Sequence, residues 1–359
     1  MGGVSEYASI NSRVRVLYSG LLTPQVGAGL RDTTDLASLV TSLQNTAYSP
    51  YLRNIEDKGL TPKQVIYQIK NRIADAYLTA IHSAPVNTRS LLVQLFRHYE
   101  IDNLKAVLRG IVTNSSWEQV QNILFPLGSL GILPAQQMLE TGSVEAAIAL
   151  IPQSPYYETL THAMKRYSDE QSLFPLEVAL DLNYWHKLWS GANQLPGEDR
   201  AEARRIIGPL VDMTNILWAI RYRVYYKLSE EEIVNYTLPF GYRVRDEDIR
   251  SIAAGGDIVR ILERIFPNLV DVESLLDDPT SGLPKLELQM QRQIAKQFRS
   301  VFTGYPFHIG LALAFPILSE LEIQDLTVLI EAKSAHMPNE KFVPYLLMST
   351  NSDASTVSQ

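Results

Sequence analysis

A threefold internal repeat constrains the fold of this chain more than any other feature of its sequence. In each copy an acidic residue is followed three positions later by Asn or Asp, and then by apolar residues at helical spacing. The acids, 112 and 110 residues apart, are Glu100, Asp212 and Glu322, and the polar residues that follow them are Asn103, Asn215 and Asp325. Such recurrence at a constant interval is typical of a triplicated structural unit.

The segments around these motifs repeat as well. Pro126 and Gly128, which follow the first copy, recur 113 residues later as Pro239 and Gly241 after the second copy. The third copy lacks this Pro-x-Gly turn. Short amphipathic segments begin each unit, at Asp35, Ser143 and Asp257.

From these matches we predict four parts of the chain. Residues 1–141 hold an N-terminal helix and the first unit, residues 142–256 the second unit, and residues 257–349 the third. Residues 350–359 form a polar tail that we predict to be disordered.

The periodicity of the chain predicts an all-α fold. In the first helix Ile10, Val14, Leu17 and Leu21 recur at spacings of four, three and four, and helical periods continue through most of the sequence. We find no alternating β-branched runs bounded by turn residues, which strands would show. Three similar helical units either stack in a line or close around an axis, and the sequence alone leaves both arrangements open.

Composition excludes several classes of function. The 359 residues carry a net charge of −7, with 32 Lys and Arg against 39 Asp and Glu, which disfavours nonspecific binding to nucleic acid. Cysteine is absent, so disulfides, thiolate metal sites and a Cys nucleophile are excluded. No apolar run approaches the ~20 residues that a membrane span needs.

The repeated acids are the sharpest candidate site. Glu100 falls on a helical stripe with Phe96 and Leu104, and an acid in an apolar stripe must be paired, hydrogen-bonded or protonated. It is either a proton-handling carboxylate or a buried clamp to an Arg or a helix N-terminus of its own unit. We favour the clamp for all three acids, because three copies of one catalytic acid would be unusual. Structural roles are also assigned to Asn103, Asn215 and Asp325, whose side chains are expected to bond nearby backbone groups.

No other pattern indicates catalysis or a bound cofactor. The six histidines show no i,i+3 or i,i+4 pair that would place two metal ligands on one helix face. Phosphate-binding glycine loops and the G-x-S-x-G elbow of hydrolases are both absent. We therefore predict no catalytic residue, no cofactor, no metal and no small-molecule substrate. Arg243 and Arg245, in a predicted loop, are either solvated side chains that pair within the chain, which we favour, or contacts to an acidic partner.

Four segments, taken together, resemble one known family. They are Tyr7–Val16 (YASINSRVRV), Asp102–Gly110 (DNLKAVLRG), Leu238–Val244 (LPFGYRV) and His308–Leu326 (HIGLALAFPILSELEIQDL). In this order they resemble the C subunit of archaeal and bacterial V-type or A-type ATPases, the relative of the eukaryotic d subunit. The chain departs from the family pattern at Ser12, Phe240, Phe315, Ser319 and Asp325.

The resemblance implies three similar helical lobes with pseudo-threefold symmetry that form a funnel. It also implies a non-catalytic rotor subunit between the central stalk of the soluble head and the membrane proteolipid ring. Such a subunit transmits torque between ion transport and ATP synthesis or hydrolysis. It is cytoplasmic and reaches the membrane face only through its partners.

Two alternatives follow from the residues alone. The repeat and the absence of catalytic motifs also fit a helical-repeat scaffold unrelated to ion transport. An enzyme that uses one of the striped acids would instead lose activity, but not its fold, on Glu100→Gln substitution.

Overall fold

The chain is helical throughout the part that the structure describes. A computed structural model covers residues 3–53, 55 and 60–347, with the backbone alone for residues 3–5. These residues contain nineteen α-helices, three short 3₁₀ segments and no β-strand, which confirms the predicted all-α class. The predicted tail, residues 350–359, lies outside the described residues.

One helix, α1 (Gly3–Ser19), precedes three sets of six. The first set is α2 Pro24–Arg31, α3 Leu36–Leu43, α4 Ser49–Leu52, α5 Pro62–Ser83, α6 Val86–Val112 and α7 Trp117–Gln121. The second set is α8 Ala135–Glu140, α9 Val144–Ala149, α10 Tyr157–Glu170, α11 Phe174–Gln194, α12 Gly197–Val224 and α13 Glu230–Tyr236. The third set is α14 Asp246–Ala254, α15 Ile258–Ile265, α16 Val272–Asp277, α17 Pro279–Ser300, α18 Gly310–Ser334 and α19 Asn339–Phe342.

Each set has the same order of lengths: three shorter helices, two long ones of 21 to 28 residues, and a short one. The local sequence signals recur with it. Asp35, Ser143 and Asp257 cap α3, α9 and α15, and each accepts the backbone N–H three residues ahead. Such caps satisfy a donor that the first helical turn leaves unpaired.

The two long helices of each set form an antiparallel hairpin. In the first hairpin, the rings of Tyr77 on α5 and Phe96 on α6 are 5.0 Å apart. In the second, the Arg204 guanidinium of α12 lies 5.2 Å from the Trp189 ring of α11. Helices α17 and α18 pack together in the same way.

The three hairpins close into a ring. Helix α6 of the first hairpin packs on α11 of the second, α12 packs on α17 of the third, and α18 returns to pack on α5 of the first. Helix α1 lies over α5 and α18 and covers the joint between the two ends of the chain. Of the two arrangements that the sequence left open, the structure shows closure.

The tips of the hairpins meet. Asp199, near the tip of the second hairpin, accepts the backbone N–H of Ile309 at the tip of the third, 2.9 Å away. Tyr7 of α1 lies beside both Asp199 and Thr88, which is near the tip of the first hairpin. The unit boundaries at 142 and 257, and superposition of the three lobes as a funnel, stay predictions.

Gly208 tests the packing of this ring. A Cβ at Gly208 would lie 2.4 Å from the Tyr242 ring, whereas a Cβ at the exposed Gly29 of α2 meets nothing within 4 Å. We expect Gly208→Ala to lower the free energy of unfolding by about 1–2 kcal/mol, because overpacking outweighs the gain in helix propensity. The control Gly29→Ala should raise it by about 0.5–1 kcal/mol. Urea denaturation of both variants checks the expectation, and equal stabilisation by both would contradict it.

Candidate functional site

The three repeated acids all lie buried on the second long helix of a hairpin, as the apolar stripes predicted. Glu100 on α6 and Glu322 on α18 have no exposed surface, and Asp212 on α12 is 1% exposed. A buried carboxylate is stable only if hydrogen-bond donors or cations replace its lost hydration. The partners of each acid therefore define the site.

Glu100 binds the segment that leads into the second set of helices. Its Oε1 accepts the backbone N–H of Ile132 at 2.7 Å, and its Oε2 accepts the Tyr156 hydroxyl at 2.6 Å. Arg97, one turn earlier on α6, donates to the same Oε2. The carboxylate thus joins the first hairpin to the segment before α8 and the residue before α10.

Glu322 makes the corresponding joint between the two ends of the chain. It accepts the backbone N–H of Leu22 at 2.5 Å, the Tyr48 hydroxyl at 2.7 Å and a guanidinium N–H of Arg72 at 2.7 Å. Arg72 also lies over the Tyr48 ring, 4.5 Å from its centroid. Burial raises the pKa of Glu322, and the Arg72 charge and the donated hydrogen bonds counter that effect.

Asp212 uses backbone donors alone in place of the Tyr and Arg. It accepts the N–H groups of Tyr242, Arg243 and Val244 at 2.7, 2.8 and 3.1 Å, in the segment that leads to α14. Burial raises the pKa of Asp212, and these three N–H groups act in the opposite direction. All three donors come from consecutive residues of that segment.

The polar residues one turn further on hold the short connection that follows. Asn103 exchanges two hydrogen bonds with the backbone of Phe125, at 2.7 and 2.9 Å. Asn215 accepts the N–H of Leu238 at 2.7 Å and donates to the Phe240 carbonyl at 2.9 Å. Asp325 accepts the N–H of Leu347. These bonds span 22, 23 and 22 residues, so the three copies are equivalent.

Asp325, which replaces the Asn in the third copy, changes this arrangement, because a carboxylate accepts hydrogen bonds but does not donate them. In the third copy Arg292 of α17 supplies donors to the same turn, with Nη2 lying 2.7 Å from the Leu346 carbonyl and 3.1 Å from that of Pro344. The departure from the family pattern at Asp325 is therefore accompanied by a cationic donor to the carbonyls.

The sequence predicted these six residues as polar members of buried helices, and the structure brings each to a joint between helix sets. One detail of the prediction is wrong. The partners of Glu322 lie in residues 1–141 and not in its own unit, and Tyr156, one of the partners of Glu100, lies in the second unit. The other partners of Glu100, and all three of Asp212, lie in the unit of the acid, as predicted. The side chains of Arg243 and Arg245 are exposed. Their role as partner contacts stays a prediction.

Sequence reasoning missed an ionic contact between α6 and α18. His98 and Glu320 each precede a repeated acid by two residues, and their Nε2 and Oε1 atoms are 3.5 Å apart. Burial alone would lower the pKa of His98, but the Glu320 carboxylate, with Asp102 adding to its effect, raises it above the usual value. The sequence did hold one signal for this contact: His98 and Glu320 occupy equivalent positions in two of the repeats, each two residues before the repeated acid.

The described residues show neither a metal-type cluster nor a membrane-crossing helix. Residues 3–53, 55 and 60–347 contain no group of three His, Asp or Glu side chains arranged to hold a metal ion. In the same part of the chain, each helix is too short or too polar to span a bilayer.

Comparison with known proteins connects this geometry to a family. The ATP synthase (C/AC39) subunit family matches residues 10–343. The chain belongs to this family. Membership confirms the predicted resemblance and sets aside the alternative of a scaffold unrelated to ion transport. It places the chain among the structural subunits of the synthase, not the catalytic ones.

Individual members of the family match along nearly their whole length. The C subunit of the A-type ATP synthase of Methanocaldococcus jannaschii is 22% identical over 348 residues, which cover 96% of this chain and 87% of that protein. The C subunit of the Pyrococcus horikoshii enzyme is 24% identical, and the match covers 91% of this chain and 87% of that protein. The C subunit of the A-type ATP synthase of Methanococcoides burtonii is 23% identical, and the match covers 94% of this chain and 93% of that protein.

The joint at Glu322 predicts a large loss of stability on neutralisation. In Glu322→Gln the Arg72 guanidinium stays buried without a counter-charge, so we expect the free energy of unfolding to fall by about 3–5 kcal/mol. The control Glu331→Gln, exposed on the same helix, should change it by less than about 0.5 kcal/mol. Chemical denaturation followed by circular dichroism measures both, and equal effects would show that the joint adds nothing.

The His98–Glu320 contact predicts a pH dependence. Because the folded pKa of His98 lies above its unfolded value of about 6.5, protonated His98 contributes stability below that pH and loses it as pH rises through the folded pKa. Wild type should therefore lose more unfolding free energy between about pH 6 and pH 8 than Glu320→Gln. Glu331→Gln should keep the wild-type slope. Parallel slopes for wild type and Glu320→Gln would contradict the expectation.

Proposed function

We propose that this chain is a non-catalytic central-rotor subunit of an A-type or V-type ATPase. In this role it joins the central stalk of the soluble head to the proteolipid ring of the membrane and transmits torque between them. It lies at the cytoplasmic face of the membrane and is held there by these partners. Family membership supports assembly with other ATPase subunits, and the fold supports the mechanical role.

The observation that carries the proposal is closure of the ring between α18 and α5. A rotor element under load must not open at its weakest joint. Here α18 is joined to the N-terminal helices by a buried carboxylate that accepts three hydrogen bonds, as at the two joints where the chain is continuous. Glu322 bonds Leu22, Tyr48 and Arg72, which lie 250 to 300 residues away in sequence.

The chemistry of the repeated acids supports a mechanical role as well. Each of the three carboxylates accepts three hydrogen bonds from within the fold, so most of its acceptor capacity is used to hold protein groups together. Fully satisfied polar networks stiffen a core and fix its geometry. Stiffness at joints between helical hairpins is what transmission of torque requires.

Omission of the subunit from the assembled ATPase tests the proposal. Without this chain, we expect membranes to lose ATP-driven ion transport, while the soluble head keeps its ATP hydrolysis. Adding back wild type or Glu331→Gln should restore transport. The number of ions moved per ATP hydrolysed is the measurement, and coupled transport in membranes that lack the chain would refute the proposed role.

A further inference from the structure

A groove of about 690 Å³ opens beside the joint that closes the ring. It lies between α2 and α18, and Glu322 and Asp325 lie in its wall. The floor is apolar: its leucines are Leu21, Leu22, Leu30, Leu318, Leu326, Leu329 and Leu346.

In the first two sets of helices the chain itself passes through the equivalent place. Residues 125–132 run from the backbone bound by Asn103 to the backbone bound by Glu100. Residues 238–244 do the same between Asn215 and Asp212. In the third copy the corresponding ends are Leu347 and Leu22, at opposite ends of the chain, with no peptide connecting them.

The packing of these connections shows what the groove lacks. Tyr242 of the second connection packs onto Gly208, four residues before Asp212. Leu318 holds the same place relative to Glu322, and it lines the groove. The short helices that follow the connections, α8 and α14, pack directly on α6 and α12. The groove lies between their counterpart α2 and α18, which meet at the end of α2, where Lys333 donates a hydrogen bond to the Arg31 carbonyl at 2.6 Å.

The groove carries charges of both signs. Its two carboxylates are held by donors within the fold: Glu322 by Leu22, Tyr48 and Arg72, and Asp325 by the N–H of Leu347. The side chains of Arg31 and Arg299 line it, and within the described part of the chain neither guanidinium has a carboxylate within 4.0 Å. An apolar floor with unpaired arginines complements a segment that carries both a bulky apolar side chain and a negative charge.

We propose that the groove between α2 and α18 binds an extended segment of a neighbouring subunit, with a bulky apolar side chain beside a carboxylate. The apolar side chain packs on the leucines that line the groove, Leu318 among them, and the carboxylate pairs with Arg299 or Arg31. The partner thus supplies the third connection, and its binding braces the joint at which the ring closes. The identity of the neighbour rests on the proposed function, since it must come from the same complex.

Site-specific cross-linking in the assembled complex tests this proposal. A benzophenone amino acid is introduced at Gly27, which lines the groove and has free space for a side chain, and in a second variant at Ala28. The matched control carries it at Gly29, on the same helix but outside the groove. After irradiation, mass spectrometry identifies the cross-linked peptide.

We expect positions 27 and 28, but not 29, to cross-link to one subunit, through a segment that contains a large apolar residue beside Asp, Glu or a terminal carboxylate. Arg299→Gln should lower the yield about tenfold, the loss expected for one charge-assisted contact. Lys296→Gln, exposed one turn earlier on α17, should leave it unchanged.

The proposal is overturned by cross-links to residues 348–359 of the same chain, by cross-links to a second copy of this chain, or by equal yields at positions 27 and 29. The composition of the purified complex is determined first. If it lacks the subunits of the ATPase head, the proposed function fails. If the complex is intact but the groove positions give no specific cross-link, only the groove proposal fails.

Discussion

The structure depends on how a carboxylate is buried at each joint between hairpins. Removing an acid from water costs several kcal/mol, and only donors placed around it offset that cost. Here the donors come from the next part of the ring: Ile132 and Tyr156 for Glu100, and Leu22 and Tyr48 for Glu322. An alternative packing of two hairpins that kept the acid buried without these donors would leave an unpaired charge. The joints are therefore more specific than apolar contact between helices alone.

The ring is continuous in contacts but not in sequence. Two of its joints are made by consecutive parts of the chain, and the third brings residues near the N-terminus to α18. Helix α1 covers that third joint, where Arg72 and Glu322 form a buried ion pair. The joint at Asp212 has no such ion pair, and its carboxylate is bound by backbone N–H groups alone. Helices α1 and α18 are thus both part of the third joint, and the groove beside α2 marks the place where this joint has no covalent connection.

Sequence reasoning predicted the helices, the threefold repeat and the burial of six polar residues, because helical periodicity states which residues share an apolar face. It did not predict what those residues bind. The partners of Glu322 lie 250 to 300 residues away, and periodicity carries no information on which distant backbone groups meet a given helix face. For the same reason it missed the His98–Glu320 contact, the Arg292 donors beside Asp325 and the groove, all of which depend on how hairpins pack.

Closure of the ring by equivalent joints is the central claim, and hydrogen exchange at single amides tests it most directly. The N–H groups of Leu22, Ile132 and Tyr242 lie outside helices and donate to Glu322, Glu100 and Asp212. We expect all three to exchange slowly, with similar protection, in the native protein. Rapid exchange at Leu22 together with protection at Ile132 and Tyr242 would show an open ring and contradict the account.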